Sequence, residues 1–449
     1  MKKVLSIAGS DSGGGAGIQA DLKTFAALQV YGMTAITAVT AQNTMGVQDI
    51  QGISPKVITA QIEVVVSDIG VDAVKTGMLH NSEVIETVAK AIDHYRLPNV
   101  VVDPVMVATS GARLLEPTAL ETLKTKLLPK AKVLTPNTHE AEIIAEHTIK
   151  TVKDAENAAE KIAGLGPEAV LVKGGHLDVP GKAVDVLYVG DVLKVFESPL
   201  VETKNTHGTG CSLSSAIAAG LAKEYTVIEA VSQAKELIYK GIKNSLNIGK
   251  GVGPVNPLAA LYDEAEKHKI LEEISEAIKI VESKPSMRGL VAECQMNIGM
   301  AASHAVDPRD IAAVDGRLTK HLDGVRAQGS PRFGVSHHIA STILAVREYH
   351  PQLRAALNIA YTEKTVETMK EIGLLVSSYD RRKEPEEYKT VEGMTTRWGA
   401  GEAMKQIDGV PDAFYHTGDW GKEAMIVLLG ETATSVAEKA ARIADQVGE

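Results

Sequence analysis

At 449 residues, with 44% hydrophobic and 23% charged residues, the chain has material for two or three cores and is not of disordered or fibrous composition. A net charge of −10 argues against binding a nucleic-acid backbone, which needs clustered lysine and arginine, but leaves room for small anions held by backbone amides. Two cysteines, Cys211 and Cys294, have no spacing for a zinc site or a disulfide framework, so a reducing, cytoplasmic setting is expected.

The start "MKKVLSIAGSD" has too short an apolar run for a signal peptide. The uncharged stretch from Thr24 to Gln48 is broken by Gln29, Gln42, Asn43 and two glycines, so a buried helix, turn and strand are expected there, not a membrane span. In chain order the first half reads as strand "KVLSIAG", helix "IQADLKTFAAL", strand "MTAITAVTAQN" and helix "PKVITAQIEVVVSD". Strand "DAVKTGML", helix "SEVIETVAKAIDHY", strand "NVVVDPVM", helix "TALETLKTKLLP" and strand "KVLTPN" follow, then strands "AVLVKGG" and "AVDVLYVG" and a helical tail to about Tyr262. Short apolar runs alternating with amphipathic helices predict an α/β domain with a mostly parallel sheet covered on both faces.

The charged, helix-periodic segment from Asp263 to Lys284 predicts a connecting helix closed by Pro285. Beyond it lies a second, smaller α/β pattern: helix from "MNIGMAASHAV", strand "DIAAVDGR", helix "SHHIASTILAVREY", strand "LRAALNIAY", helix "KTVETMKEIG" and strand "LLVSSYD". Helix "GAGEAMKQI", strands "AFYHTGD" and "EAMIVLLGE", and helix "ATSVAEKAARIADQV" complete it. The expected division is therefore 1–262, a linker 263–284, and 285–449.

Two glycine-rich turns invite a phosphate reading. The first, "GSDSGGGAGIQAD", contains a formal match to the dinucleotide fingerprint, Gly15 to Ala20. The next strand ends in Gln42 and Asn43, not in the acidic residue that would hold a ribose hydroxyl, and a purely structural glycine turn explains the sequence equally well. The second, "HGTGC", sets Gly208, Thr209 and Gly210 before a small-residue helix, so converging amides and the helix dipole could stabilise a transferred phosphoryl group. A tightly packed, capped helix accounts for it comparably. Asp103, Asn137, Glu140 and Lys173 fall at predicted C-terminal strand ends, the edge where parallel sheets bind ligands. Glu140, with Asp103, could hold a metal, and Lys173 could neutralise phosphate.

Together, "AGSDSGGGAGIQADLKTF", "AQNT", "VKTGML", "DPVMVATSG", "TPN" with Glu140, and "HGTGC" resemble the ribokinase superfamily, and within it the hydroxymethylpyrimidine/phosphomethylpyrimidine kinases of thiamine biosynthesis. The resemblance covers about residues 1–262 and implies a three-layer ribokinase-like fold. It implies two ATP- and Mg2+-dependent transfers, first to an aminopyrimidine alcohol and then to its monophosphate. It also implies that Asp21, Gln42, Met78 and Val105 hold the pyrimidine and that Cys211 is catalytic, while Asn137, Lys173, Gly208, Thr209 and Gly210 are expected to hold the nucleotide. Chemically, Gln42 can pair donor and acceptor with an aminopyrimidine edge, and Asp21 could accept from an exocyclic amine. Met78 and Val105 offer apolar walls, although core filling explains Met78 equally. A thiol in place of a carboxylate avoids repelling the dianionic second acceptor, and the helix N-terminus could favour its thiolate when the alcohol is bound.

The second half concentrates Asp315, Arg317, Arg332, His337, His338, Asp380, Arg381, Arg397, His416 and Asp419 at strand ends and loops. The histidine spacings match no regular metal pattern, whereas the arginines suit phosphate. From about Glu273 onward, "VDGRL", "SPRFGVSHHIA", "TVEGMTTRWG" and "HTGDWGKEAM" resemble the ThiN-type thiamine phosphate synthases. That resemblance implies Arg317 and His338 as the functional pair; on chemical grounds Arg317 is expected to hold the leaving diphosphate, with Arg332 assisting. Similar domains also serve as ligand sensors, so a pyrimidine or pyridoxine kinase with a non-catalytic tail is the alternative. Small molecules, not nucleic acid or membrane, are the expected partners, and a homodimer is the expected assembly.

Overall fold

In a computed structural model, residues 1–107, 111, 114–175, 177, 179–385, 388, 394–419 and 422–447 are described. Parts of "DPVMVATSG", "TVEGMTTRWG" and "HTGDWGKEAM" lie outside them. The chain forms two compact units, 1–260 and 261–449.

The first unit is built on β1 (Lys3–Asp11), β2 (Tyr31–Asn43), β3 (Gly46–Gly52), β4 (Ala73–Thr76) and β5 (Val100–Val102), then β6 (Val133–Leu134), β7 (Ala169–Gly174), β8 (Lys182–Val189) and β9 (Val192–Pro199). Their spatial order is β3-β2-β1-β4-β5-β6-β7-β8-β9. From β2 to β7 every pairing is parallel, while β3, β8 and β9 add antiparallel edges. The alternation of β1 explains the layers. Leu5 and Ile7 join one core with the helices Pro55–Asp68 and Ser82–Tyr95, whereas Val4 joins another with Phe25, Leu213 and Ala216. Apolar side chains on both faces of a strand demand cover on both faces.

Sequence periodicity gives the central strands and most helices but misses β3 and β9. Both are edge strands with several exposed residues, and so lack the apolar runs by which buried strands are read. The helix expected over 118–129 divides into an α-turn, Ala119–Thr122, a π-turn, Leu123–Leu127, and a 3₁₀ turn at Leu128–Lys130, where Pro129 prevents α-helical bonding.

The second unit contains β10 (Ile298–Ala301), β11 (Ile311–Val314), the ribbon β12 (Leu318–His321) and β13 (Gly324–Ala327), and β14 (Pro331–Phe333). After these come β15 (Ala355–Ala360), β16 (Val376–Ser378), β17 (Ala413–His416) and β18 (Met425–Gly430). Its main sheet runs β14-β11-β10-β15-β18-β17-β16, antiparallel except for the β16–β17 pair. The helix expected from Met296 is instead strand β10. Its residues are buried throughout, and a side chain at Gly299 would run into Ile339 of the helix His337–Arg347, which packs across the strand. The charged segment read as a connector forms the helix Ala259–Ser283, whose Ile270, Ile274, Ala277 and Val281 belong to the second core.

Candidate functional site

The C-terminal ends of β1, β2, β5 and β7 border a cavity of about 500 Å³ in the first unit. Asp11, at the end of β1, organises the first glycine loop. Its Oδ1 accepts from the Gly13 amide (2.8 Å) and its Oδ2 from the amides of Gly15 (3.0 Å) and Ala16 (2.7 Å), while His207 Nε2 lies 3.2 Å from Oδ2. Burial works against the Asp11 charge, but His207 and the amides outweigh it and hold its pKa below the usual range. Three loop amides therefore turn to a side chain of the same chain, and the match at Gly15–Ala20 is not a working dinucleotide fingerprint. A side chain at Gly208, where φ is +80°, would strike the Gly15 carbonyl, so the two glycine turns depend on each other's missing Cβ.

On one wall, Gln42 Oε1 accepts from Thr40 Oγ1 at 3.2 Å and its Nε2 lies 3.3 Å from His207 Nε2. Met78 packs with Ala38 and Leu114, with Val105 against them, forming an apolar patch on the same cavity. Asp21 does not line the cavity. Its carboxylate is fully buried, receiving Lys75 Nζ at 2.9 and 3.0 Å, Ser6 Oγ at 2.5 Å and Ser215 Oγ at 2.7 Å. The expectation that Asp21 accepts from a substrate amine is corrected: its lone pairs are occupied by four donor contacts, and it holds Lys75 beside the cavity. Burial opposes the Lys75 charge, but Asp21, with Cys211 and Asp103, holds its pKa above the usual lysine value. Lys75 carries no assignment from the motif "VKTGML", although a lysine within an otherwise apolar strand is the signal that marks it.

Cys211 lies in the first turn of the helix Thr209–Ala222, which has Gly208 as N-cap and no capping side chain. Burial pushes its thiol up to about 11; Lys75 opposes this, Asp21 and Asp103 add to it, and the Gly17 amide donates to the sulfur. Of the two forms left open for Cys211, base or neutral member of the anion site, this favours the neutral thiol, because desolvation outweighs the helix N-terminus and Lys75.

On the other wall, Lys173 Nζ is 2.9 Å from Asp103 Oδ1, while Ser214 Oγ donates to Asp103 Oδ2 at 3.2 Å. Burial opposes the Lys173 charge, but Asp103 and Glu140 hold its pKa up. Asn137 and Glu140 form a reciprocal cap: the Glu140 amide donates to Asn137 Oδ1 (2.9 Å) and the Asn137 amide to Glu140 Oε2 (2.8 Å). Thus one lone pair of the Asn137 oxygen is engaged by its own helix, while its side-chain nitrogen is not used in the cap. Burial, with Asp103 adding and Lys173 opposing, pushes Glu140 up to about 7. Among the described residues no cluster of three or more potential ligands could hold a metal by itself. Magnesium is usually held by one or two carboxylates plus water and substrate phosphate, and Glu140, a desolvated carboxylate on which the Asp103 charge also acts, fits that role.

In the second unit, Arg317 follows the positive-φ Gly316, itself adopts φ +73°, and donates to the Cys294 carbonyl. His338, in the first turn of its helix, has Nδ1 3.3 Å from Thr396 Oγ1. His338 is exposed, and desolvation by the surrounding protein, then the charges of Arg381 and Arg317, hold its pKa below the usual histidine range. Arg332 instead pairs with Asp315 at 3.1 Å on an exposed surface and is not hydrogen-bonded to Arg317 or His338 among the described residues.

Comparison with known proteins fits this division. Residues 11–256 match the phosphomethylpyrimidine kinase family and residues 273–442 the thiamine-phosphate synthase ThiN family. A hydroxymethylpyrimidine/phosphomethylpyrimidine kinase of Bacillus subtilis is 46% identical over 57% of this chain and 95% of its own length. The thiamine biosynthesis bifunctional protein ThiED of Geobacter sulfurreducens is 47% identical over 59% of this chain, and 54% of its length is covered. Among solved structures, an ADP complex of Bacillus subtilis pyridoxal kinase superposes with a TM-score of 0.54 at 44% identity, covering 58% of this chain and 99% of that one. The kinase match spans more than half of the chain: the protein belongs to the phosphomethylpyrimidine kinase family and carries a thiamine-phosphate synthase ThiN region after the kinase.

Proposed function

We propose residue roles for a chain that combines hydroxymethylpyrimidine/phosphomethylpyrimidine kinase with ThiN-type thiamine phosphate synthase in thiamine biosynthesis. The kinase phosphorylates 4-amino-5-hydroxymethyl-2-methylpyrimidine to its monophosphate and then its diphosphate. The synthase joins the diphosphate to hydroxyethylthiazole phosphate, giving thiamine monophosphate and diphosphate. The match of residues 273–442 to a synthase family disfavours a merely sensing tail. We assign 1–262 to the kinase, 285–449 to the synthase and 263–284 to a connecting helix whose apolar stripe completes the second core.

One observation carries the kinase reading: the uncapped turn holding Cys211 and the Gln42–Met78–Val105 wall border the same cavity as Lys173. Gln42 reads the pyrimidine edge, held by Thr40 and His207, while Met78 and Val105 clamp the ring. Gly208, Thr209 and Gly210 present the helix N-terminus to the transferred phosphoryl group, and Lys173 neutralises nucleotide phosphate, with Asn137 beside it. Phosphoryl transfer asks mainly for positioning and charge stabilisation. A neutral Cys211 thiol meets both acceptors, the alcohol and the dianionic monophosphate, without repelling either. Glu140, assisted by Asp103, would hold Mg2+, which supplies charge neutralisation on the phosphates of ATP. In the synthase, Arg317 and His338 stabilise departing diphosphate, and Arg332 would have to leave Asp315 to assist.

No helix among the described residues is long and apolar enough to cross a membrane; a cytoplasmic homodimer is proposed. Incubating the full chain with aminopyrimidine alcohol, ATP, Mg2+ and thiazole phosphate should yield thiamine phosphate. Intact kinase steps without that product would reject the bifunctional reading.

A further inference from the structure

We propose that Arg381 and His416 form a second oxyanion-binding pair in the synthase unit, closing on a phosphate or diphosphate oxygen between guanidinium and imidazole. Which phosphate arrives rests on the synthase reading above; the pair itself rests on hydrogen-bond chemistry.

His416 ends β17 and Arg381 lies three residues beyond β16, and these strands pair in parallel. Both residues therefore lie at the C-terminal ends of the one parallel strand pair in this sheet among the described residues. His416 is buried, its ring 5.2 Å from that of Tyr379. Its Nδ1 accepts from the Gly418 amide at 3.2 Å, so the proton of the neutral ring is on Nε2. That Nε2 faces Arg381 Nη1 at 3.3 Å. Guanidinium nitrogens only donate, so two donors point at each other. The other tautomer moves the conflict to the Gly418 amide without removing it.

A second atom gives the same indication: Arg381 Nε is buried and has no partner. An unmet buried donor is costly: an acceptor oxygen in the Nη1–Nε2 gap would resolve the first fault, and Nε, which shares its edge of the guanidinium with Nη2, calls for a second acceptor oxygen, as a phosphate or diphosphate supplies. The surroundings favour an anion. His338 feels the charges of Arg381 and Arg317, and burial, Arg381 and His338 together push His416 down to about 4. The carboxylate nearest in charge to His416, Glu423, is engaged by the amides of Glu293 (2.6 Å) and Cys294 (3.0 Å). Glu384, whose Oε1 is also buried without a partner, is the internal alternative acceptor.

The test follows the His416 ring C–H signal of the full chain by NMR, assigned by its loss in His416→Gln, while inorganic diphosphate is added. Tyr379, Arg381, His338, Arg317, Glu384 and Glu423 are the ionisable groups acting on this ring or its partner. The expected result is a rise of at least about one unit in the His416 titration midpoint, absent in Arg381→Gln and retained in Glu384→Gln. Starting from the pyrimidine diphosphate, Arg381→Gln should raise KM at least about tenfold, the loss expected for one charge-assisted hydrogen bond, with Arg381→Lys partly restoring it and kinase rates unchanged. A His416 signal unmoved by millimolar diphosphate, an unchanged KM in Arg381→Gln, or a Glu384→Gln variant matching Arg381→Gln would overturn the pair. An Arg381-dependent response in a chain that makes no thiamine phosphate would uphold the pair and reject the synthase reading instead.

Discussion

Replacing Asp21 with Asn leaves Lys75 charged and fully buried without the carboxylate that pairs with it directly. Four elements meet at this pair: Ser6 on β1, Asp21 on the helix Gly17–Ala27, Lys75 on β4 and Ser215 on the helix that carries Cys211. Breaking one side of a buried pair costs about 3–5 kcal/mol. With a urea dependence of about 3 kcal/mol per molar, the unfolding midpoint of the first unit should fall by roughly 1–1.7 M. Lys75→Met should cost as much, because Asp21 then keeps its charge with only two hydroxyl donors. Removing both charges in Asp21→Asn/Lys75→Met should recover at least about 2 kcal/mol of the summed loss. Urea unfolding of the full chain, followed through the transition that ATP protects, measures all three variants. A double variant whose loss equals the sum of the single losses would refute the reasoning, since no coupling would then join the two charges. The pKa of Lys75 is raised, so its contribution is complete below the unfolded value of about 10.4 and is lost as pH rises through the folded value.

With its thiol pushed up to about 11, Cys211 should react with iodoacetamide at pH 8 on the order of a hundredfold more slowly than in the unfolded chain. Its stabilising contribution is present below about 8.5 and fades as pH climbs through the folded value. Assayed step by step, Cys211→Asp should retain more of the first phosphorylation than of the second; equal losses would dismiss the charge argument. For Glu140, raised to about 7, protonation stabilises the folded chain as pH falls through 7 towards 4.5, and the proton competes with the metal. Between pH 8 and pH 6 the Mg2+ requirement of the kinase should rise roughly fivefold to tenfold, and Glu140→Gln should remove that dependence. An unchanged pH dependence in the variant would take Glu140 out of the metal site.

Buried elements announce themselves in sequence. The apolar runs of β1, β4 and β7 and the period of the helix Ser82–Tyr95 are legible because one element's burial pattern is local. Edge strands β3 and β9 are not, since half-exposed residues carry little pattern, and β10 was misread because its burial on both faces removes the alternation that marks a strand. The site divides in the same way. Its residue types at strand ends, Gln42, Asp103, Glu140, Lys173 and the turn at Gly208, could be named from the sequence together with a family resemblance. How their charges and hydrogen bonds are shared could not.

The sequence by itself determined an acidic two-part α/β chain, the strand ends that could bear ligands and the family those motifs resemble. Only the tertiary structure decided that Asp21 serves Lys75, that Asp11 takes the amides of the first glycine loop, that burial raises the Cys211 thiol and that Arg381 meets His416 without an acceptor. Each of these depends on desolvation and on partners distant in sequence, as Ser215 lies 194 residues from Asp21 and His207 lies 196 from Asp11. A carboxylate's role is set by which donors reach it first, and that ordering exists only once the chain has packed.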